Sequence, residues 1–232
     1  MKFHKFSLRG KNFGLKSPPL RKKLELPTFN MSDNELLEWN RQWVSWIDLY
    51  YGNVSLLCNL IGAKSILEIG VAHGYHANFI LEQNKEIHYT GIDPYNYDYE
   101  TSGEFISDMC NLFSSDPMIT FERLYQAVVK NLQNYSNRAT LIRLKSSEAL
   151  SQIRNDSYDL IFLDGDHSYD AVSFELKNYY KKVRSGGIVS GDDYNWPEVK
   201  KAVDDFIKES GEKLFFISKG NSPHKTYFFL KS

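Results

Sequence analysis

The sequence predicts a single α/β domain built on a doubly wound, mostly parallel sheet of seven strands that ends in an antiparallel hairpin. Short apolar segments alternate with segments of helical periodicity from residue 65 onward, and such alternation is typical of a parallel sheet. The last two apolar segments have no helix between them, so they should pair antiparallel. The length of 232 residues and the apolar content of 42% suit one large domain with a substantial core.

The predicted domain covers residues 31–232 and begins with a helical cap over 31–62. The segment Ser32-Asp-Asn-Glu35 has the spacing of a capping box, and a second helix is expected over 52–61, ending at Gly62. An apolar stripe at helical spacing marks the first helix, and it consists of Leu36, Trp39, Trp43, Trp46, Ile47 and Tyr50.

The sheet follows from seven short apolar segments. The predicted strands are 65–69, 87–92, 140–144, 158–163, 187–190, 213–218 and 226–230. Helices are predicted after the first strand, over 147–153, around Leu176, and from Pro197 onward, since proline suits the first turn of a helix. This arrangement is Rossmann-like, and ligands bind such sheets at the carboxyl ends of the strands.

Composition limits the class of protein. No run of 18 apolar residues and no secretory signal are present, and two cysteines without a Cys/His cluster indicate reduced thiols in a cytoplasmic protein. Residues 1–23 carry eight Lys or Arg and no acid, which predicts a basic, flexible arm over 1–30. The rest of the chain is acidic, which argues against nucleic acid as the main ligand.

Acidic residues follow two of the predicted strands. Asp164 ends one strand, with Asp166 close behind, and the pair Asp192-Asp193 ends the next. Carboxylates gathered at one edge repel by about 4 kcal/mol per pair at about 4 Å, and a cation or a shared proton would relieve this. The alternative is that these acids cap the helices that follow.

A glycine-containing turn follows the first strand. It reads Gly70-Val-Ala-His-Gly74, with Ala72 where a dinucleotide fingerprint has its middle glycine. Asp93 ends the second strand, where an acid accepts hydrogen bonds from ribose hydroxyls. Together these features predict a nucleoside cofactor.

Five segments carry a resemblance to a known family. They are Glu68-Ile-Gly70-Val-Ala-His-Gly74, Gly91-Ile-Asp93-Pro94, Lys145–Leu150, Leu163–Tyr169 and Gly186–Tyr194. Over about residues 60–210 the sequence resembles class I S-adenosylmethionine-dependent methyltransferases, and more narrowly the metal-dependent O-methyltransferases of the macrocin-type sugar and catechol-like branches. The terminal antiparallel hairpin also matches that fold.

The resemblance implies a cofactor, S-adenosyl-L-methionine, and the residues that bind it. Gly70 and Gly74 would line its methionine end, and Glu68 would support its ammonium group. Asp93 would bind the ribose hydroxyls, and Ser146 would lie near the adenine.

The resemblance also implies a divalent cation, Mg²⁺ by preference for an all-oxygen site. Asp164, Asp192 and Asp193 match the metal-binding acids, and Asp166 matches the general base, with His167 as its rival. The predicted reaction is O-methylation of a small-molecule or glycan acceptor. Three other functions stay open: an N-methyltransferase, an NAD-dependent oxidoreductase and a non-catalytic cofactor-binding scaffold. The oligomeric state, a homo-oligomer included, also stays open.

Overall fold

The structure, a computed structural model, describes residues 3–8, 11–16, 52–98, 106–107, 109–110, 116–217 and 226–232. The strands are β1 (Phe3–Leu8), β2 (Lys11–Lys16), β3 (Ser65–Ile69), β4 (His88–Ile92), β5 (Ala139–Ile142), β6 (Tyr158–Leu163), β7 (Val183–Gly191), β8 (Phe215–Ile217) and β9 (Thr226–Leu230). The α-helices are α1 (Gly52–Ile61), α2 (Tyr75–Gln83), α3 (Pro117–Leu132), α4 (Ser146–Ala149), α5 (Tyr169–Tyr179) and α6 (Pro197–Ser210). Short 3-10 turns, Gln133–Arg138, Leu150–Gln152 and Tyr180–Lys182, follow α3, α4 and α5.

Seven strands form one sheet in the order β5-β4-β3-β6-β7-β9-β8. The pairs among β3 to β7 are parallel, and β9 runs antiparallel to both β7 and β8. This confirms the predicted doubly wound sheet and its antiparallel C-terminal hairpin.

The strand order reverses between β3 and β6. The chain runs outward from β3 through β4 to β5, then returns to β6 on the other side of β3 and continues to β7. In open α/β sheets, such a reversal opens a crevice at the carboxyl ends of the strands, where ligands bind.

The core lies on both faces of the sheet because side chains alternate along each strand. On β3, Ile66 packs with α1, α2 and α3, whereas Leu67 faces the side covered by α5 and α6. Leu160 and Ile161 on β6 divide in the same way. Both faces of the central strands are therefore buried, as expected for a parallel sheet.

The strand β7 begins four residues before its predicted start at 187. Gly186 adopts a left-handed conformation with φ of 75°, and its N–H donates to the carbonyl of Lys231 at 2.8 Å. The Gly186-Gly187 pair therefore bends the strand at a bulge instead of ending it.

The N-terminal segment contains a structure that the sequence did not predict. The strands β1 and β2 pair antiparallel, with Phe3 opposite Lys16 and Leu8 opposite Lys11. The predicted helix with the three tryptophans lies outside the described residues, whereas the second predicted helix is present as α1. No helix in the described part of the chain is long and apolar enough to cross a membrane.

Candidate active site

The predicted site residues lie along the carboxyl edge of the sheet. Four strands are each followed by a residue whose N–H group continues the backbone hydrogen bonding of the sheet. Each of these N–H groups donates to the last carbonyl of a neighbouring strand at 2.9–3.3 Å. The residues are Gly70, Asp93, Asp164 and Asp192. The strand register therefore brings both parts of the prediction, the glycine turn and the acids, to one edge.

The glycine turn is in close contact with the strand that carries the first acid. Gly70 has φ of 86°, and a Cβ atom there would lie 1.9 Å from the carbonyl oxygen of Asp164. Gly74 has φ of 72°, and its Cβ would lie 2.9 Å from Val128 on α3. Both positions therefore favour glycine because of their left-handed conformation. Gly70 requires it for a second reason, since the backbone of Asp164 lies where a Cβ would be.

Asp93 holds the glycine turn in place. Its Oδ2 accepts hydrogen bonds from the N–H groups of Val71 and Ala72 at 3.0 and 2.9 Å, and its Oδ1 accepts from Tyr95 at 2.8 Å. The hydroxyl of Tyr95 donates to the carbonyl of Ala72 at 3.0 Å. The acid predicted to bind a ribose thus also positions the loop that would surround the methionine end of the cofactor.

Glu68 lies fully buried beneath the turn. Its Oε1 is 2.8 Å from Nδ1 of His76, and its Oε2 accepts a hydrogen bond from the hydroxyl of Tyr89. Gly91 makes room for that hydroxyl, since a Cβ there would lie 2.9 Å from it. The sequence did not predict these partners of Glu68.

Three side chains on two loops converge beside Gly70. One ligand atom from each of Asp164, His167 and Asp193 can be chosen so that all lie within 4.8 Å of one another. The Nε2 of His167 is 3.7 Å from Oδ1 of Asp164 and 3.6 Å from Oδ2 of Asp193. Both carboxylate side chains are largely buried, with 15% and 13% of their surface exposed.

The electrostatics of this cluster show a concentration of negative charge. The pKa of Asp164 is raised to about 7, chiefly by burial and also by the nearby Asp192 and Asp193. His167 lowers this pKa, but by less than these effects together raise it. Burial lowers the pKa of His167, but Asp164, Asp193 and Asp166 outweigh it, so the pKa is raised overall. A cation bound among these side chains would relieve the repulsion, and two carboxylates and an imidazole are donors that divalent metals accept.

Two predicted residues lie differently from the converging set. Asp192 is buried with 4% exposed and is not one of the three converging side chains, although its charge acts on Asp164. Asp166 uses Oδ1 to accept a hydrogen bond from the N–H of Ser168 at 2.8 Å, just before α5. The resemblance implied Asp192 as a metal-binding acid and His167 as a rival general base. The spacing of His167, three residues after Asp164, is the signal that could have placed it in the converging set.

Ser146 begins α4, and its surroundings contain a group that the sequence did not predict. Its carbonyl accepts a hydrogen bond from the hydroxyl of Tyr179 at 2.6 Å, and its side chain hydrogen-bonds to Glu175. Burial raises the pKa of Glu175 to about 8. The helical repeat places Glu175 beside Leu176 and Val172 on the buried face of α5, which is the signal that identifies it.

The fold and the site define a class of protein: a class I methyltransferase fold with a glycine turn, an acid after the second strand of the sheet and an acidic cluster at the switch point. A profile of the family described as "Methyltransferase domain" matches residues 67–194, more than half of the chain. The chain belongs to this family, which confirms the predicted class.

Solved structures with low sequence identity share this fold. An O-methyltransferase from Bacillus cereus in complex with SAH is 18% identical, with 85% of this chain and 91% of that chain covered and a TM-score of 0.54. The O-methyltransferase TomG from Streptomyces achromogenes, in complex with SAM, is 14% identical, with 85% and 90% covered and a TM-score of 0.55.

Two curated relatives match only in part. The uncharacterized protein R132 of Acanthamoeba polyphaga mimivirus is 33% identical over 109 residues, which are 43% of this chain and 49% of that protein. The uncharacterized protein y4gI of Sinorhizobium fredii is 32% identical over 68 residues, which are 29% of this chain and 8% of that protein. The chain therefore spans at most about half the length of these relatives.

Proposed function

We propose that this protein uses S-adenosyl-L-methionine to methylate a hydroxyl on a small molecule, sugar or glycan, with a divalent cation, Mg²⁺ first, as its second cofactor. The observation that carries this proposal is the convergence of Asp164, His167 and Asp193 beside the glycine turn at the switch point. Two structural neighbours bound to SAM or SAH, both of them O-methyltransferases, support the choice of cofactor.

The glycine turn would hold the methionine end of the cofactor. Gly70 and Gly74 leave both ends of the turn without a side chain. Asp93 fixes the backbone of Val71 and follows the end of β4, where it would accept hydrogen bonds from the ribose hydroxyls. Glu68 would support the ammonium group of the cofactor from beneath the turn. Its carboxylate is held in place by two buried partners, His76 and Tyr89. Ser146 would lie near the adenine at the start of α4.

The acidic cluster would activate the acceptor. A divalent cation supplies Lewis acidity, which lowers the pKa of a hydroxyl beside it. Asp164, Asp193 and His167 would hold this ion, with Asp192 adding charge from behind. Asp166, oriented by its hydrogen bond to Ser168, would take the proton from the acceptor hydroxyl.

The acceptor would lie beside an exposed aromatic side chain. The ring of Trp196 packs edge-on against His167 at a centroid distance of 4.9 Å, and 48% of the residue is exposed. A sugar face or a phenol ring would lie against this indole, with its hydroxyl directed to the cluster. In-line alignment of that oxygen with the methyl group would supply much of the remaining rate.

The test is a thermal melt with S-adenosylhomocysteine, with and without Mg²⁺, and with NAD as control. Saturation at about 100 times the dissociation constant adds about 2.7 kcal/mol, which raises the Tm by about 5–10 °C. A shift with S-adenosylhomocysteine is expected, and a shift with NAD alone would overturn the proposal.

The cation is tested with matched variants. Asp193→Asn should abolish the additional shift with Mg²⁺ and should reduce turnover, while the shift with S-adenosylhomocysteine remains. Asp170→Asn removes an exposed carboxylate on α5 and serves as the control for lost charge. An equal response of both variants to Mg²⁺ would show that the cation binds elsewhere.

A further inference from the structure

A carboxyl group is buried on the apolar face of α5. Glu175 has 3% of its surface exposed, although its neighbours on that face, Val172 and Leu176, belong to the hydrophobic core between the helix and the sheet. An apolar side chain would fill such a position without the cost of burying a polar group. The presence of an acid here therefore requires an explanation, and the chemistry proposed for the site does not use it.

The carboxyl group of Glu175 reaches the segments that follow two strands of the sheet. It hydrogen-bonds to the side chain of Ser146, the first residue of α4, in the segment after β5. It also lies close to Gly165 in the loop after β6, because a Cβ at that glycine would be 3.6 Å from Oε1 of Glu175. Gly165 joins Asp164 to Asp166. Glu175 therefore lies between the predicted adenine side of the crevice and the acidic cluster.

A second side chain of α5 holds the same serine. Tyr179 follows Glu175 by one helical turn, so the two side chains lie on one face of the helix. The hydroxyl of Tyr179 donates to the carbonyl of Ser146 at 2.6 Å, and Tyr179 itself is buried. One residue thus holds the side chain of Ser146 and the other holds its backbone. Ser146 is only half-buried, so part of this residue is accessible to a ligand.

We infer that Glu175 and Tyr179 are positioning residues for the adenine end of the cofactor and that they act through Ser146. The inference rests on the proposed function, in which the adenine lies beside Ser146. Two hydrogen bonds from one helix fix this serine before the ligand arrives, which reduces the entropy lost on binding. The contact of the same carboxyl with Gly165 also fixes the adenine side relative to the acidic loop.

A neutral side chain at position 175 is sufficient for this role. Burial raises the pKa of Glu175 to about 8, so its carboxyl group carries a proton at neutral pH. A glutamine has the same shape and, like a protonated carboxyl, offers both a donor and an acceptor. Glu175→Gln should therefore keep the hydrogen bond to Ser146. Glu175→Met keeps the length of the side chain and removes that bond.

The test is calorimetric titration of the full chain with S-adenosylhomocysteine at pH 7. Glu175→Gln should bind as tightly as the wild type, whereas Glu175→Met should bind about three- to tenfold more weakly, as expected for one lost hydrogen bond. The Tm of Glu175→Met should not fall, because methionine suits the apolar face of α5. Wild-type affinity in Glu175→Met would overturn this inference alone, and so would equal losses in the two variants. No binding by the wild type would overturn the proposed function.

Tyr179→Phe provides a second test, which does not depend on the folding of Glu175→Met. It should also weaken binding about three- to tenfold, because the carbonyl of Ser146 loses its donor. Tyr180→Phe is the matched control, since the hydroxyl of this neighbouring residue donates to Glu212 at 2.7 Å. It should leave the affinity for S-adenosylhomocysteine unchanged. Equal weakening in the two variants would overturn the positioning role of Tyr179.

A double variant shows whether Glu175 acts through the serine. Ser146→Ala should weaken binding, and the addition of Glu175→Met to Ser146→Ala should cause no further loss, because the residue to be positioned is already changed. Losses that add in the double variant would show that Glu175 acts independently of Ser146, which would overturn the inference.

Discussion

Replacement of Gly70 by alanine should damage the protein far more than the same change at other left-handed glycines. A Cβ at position 70 would lie 1.9 Å from the carbonyl oxygen of Asp164, 2.5 Å from its carbonyl carbon and 2.8 Å from the Cα of Gly165. These atoms are backbone, so no side-chain rotation relieves the contact. The ends of β3 and β6 must therefore separate.

The magnitude follows from two contributions. The left-handed conformation costs alanine about 1–2 kcal/mol. Separation of the strand ends also weakens two backbone hydrogen bonds, from Asp164 to Ile69 at 2.9 Å and from Gly70 to Ile92 at 3.0 Å, each worth about 1 kcal/mol. The total loss is about 3–4 kcal/mol, a large part of the 5–15 kcal/mol that stabilises a typical domain.

Gly62 provides the matched control. It has φ of 63°, and a Cβ there would meet nothing within 4 Å, so Gly62→Ala should cost only the conformational part, about 1–2 kcal/mol. Urea unfolding of the wild type and both variants measures the difference. Calorimetric titration with S-adenosylhomocysteine should show weaker binding for Gly70→Ala and unchanged binding for Gly62→Ala. Equal losses of stability in the two variants would refute the close approach of the turn to Asp164.

Three further predictions concern buried polar groups. Because burial raises the pKa of Glu175 from 4.5 to about 8, the wild type should lose stability as the pH rises from about 4.5 to about 8; Glu175→Gln should therefore raise the Tm more at pH 8.5 than at pH 4.5, and an equal gain at both would contradict this. Asp164→Asn should likewise flatten the loss of stability between pH 4 and pH 7 in metal-free protein, since that pKa is raised to about 7, and a Tm profile identical to the wild type would contradict it. Tyr89→Phe removes the hydroxyl that donates to Oε2 of the buried Glu68 and leaves only His76 beside that carboxylate, so urea unfolding should show a loss of about 1–3 kcal/mol; no loss would mean that the hydroxyl is dispensable.

The sheet could be predicted because its signals are local in the sequence. Each of the seven strands is a short apolar segment, and the residues that follow four of them, Gly70, Asp93, Asp164 and Asp192, share one edge in any parallel sheet. The carboxyl edge as a site therefore followed from topology alone. The pair β1 and β2 gave a weaker signal, since only two apolar residues alternate on each strand, Phe6 and Leu8 on β1 and Phe13 and Leu15 on β2.

The contacts within the site could not be predicted in the same way. Glu68 meets Tyr89 because Gly91, two residues further along the strand, leaves a gap on the same face. Such a pairing depends on the register between β3 and β4, which no local pattern encodes. Asp193 belongs to the converging side chains, whereas Asp192 does not. This difference likewise depends on the backbone conformation of one residue, since Asp193 has φ of 55°.

Left-handed conformations at residues other than glycine explain why the sequence pattern at the site is less distinctive than the structure of the site. Among the described residues other than glycine, positive φ occurs at Ala72, Tyr95, Asp156 and Asp193, and three of these four lie at the carboxyl edge of the sheet. A sequence pattern built on glycine misses such positions because their conformation is imposed by contacts. Asp93 imposes it at two of them, since its carboxylate binds the N–H groups of Ala72 and Tyr95. Strained backbone held by surrounding hydrogen bonds is typical of functional sites. The acid expected to bind a ribose therefore also compensates for the missing middle glycine, because it stabilises at Ala72 the turn that a glycine would adopt freely.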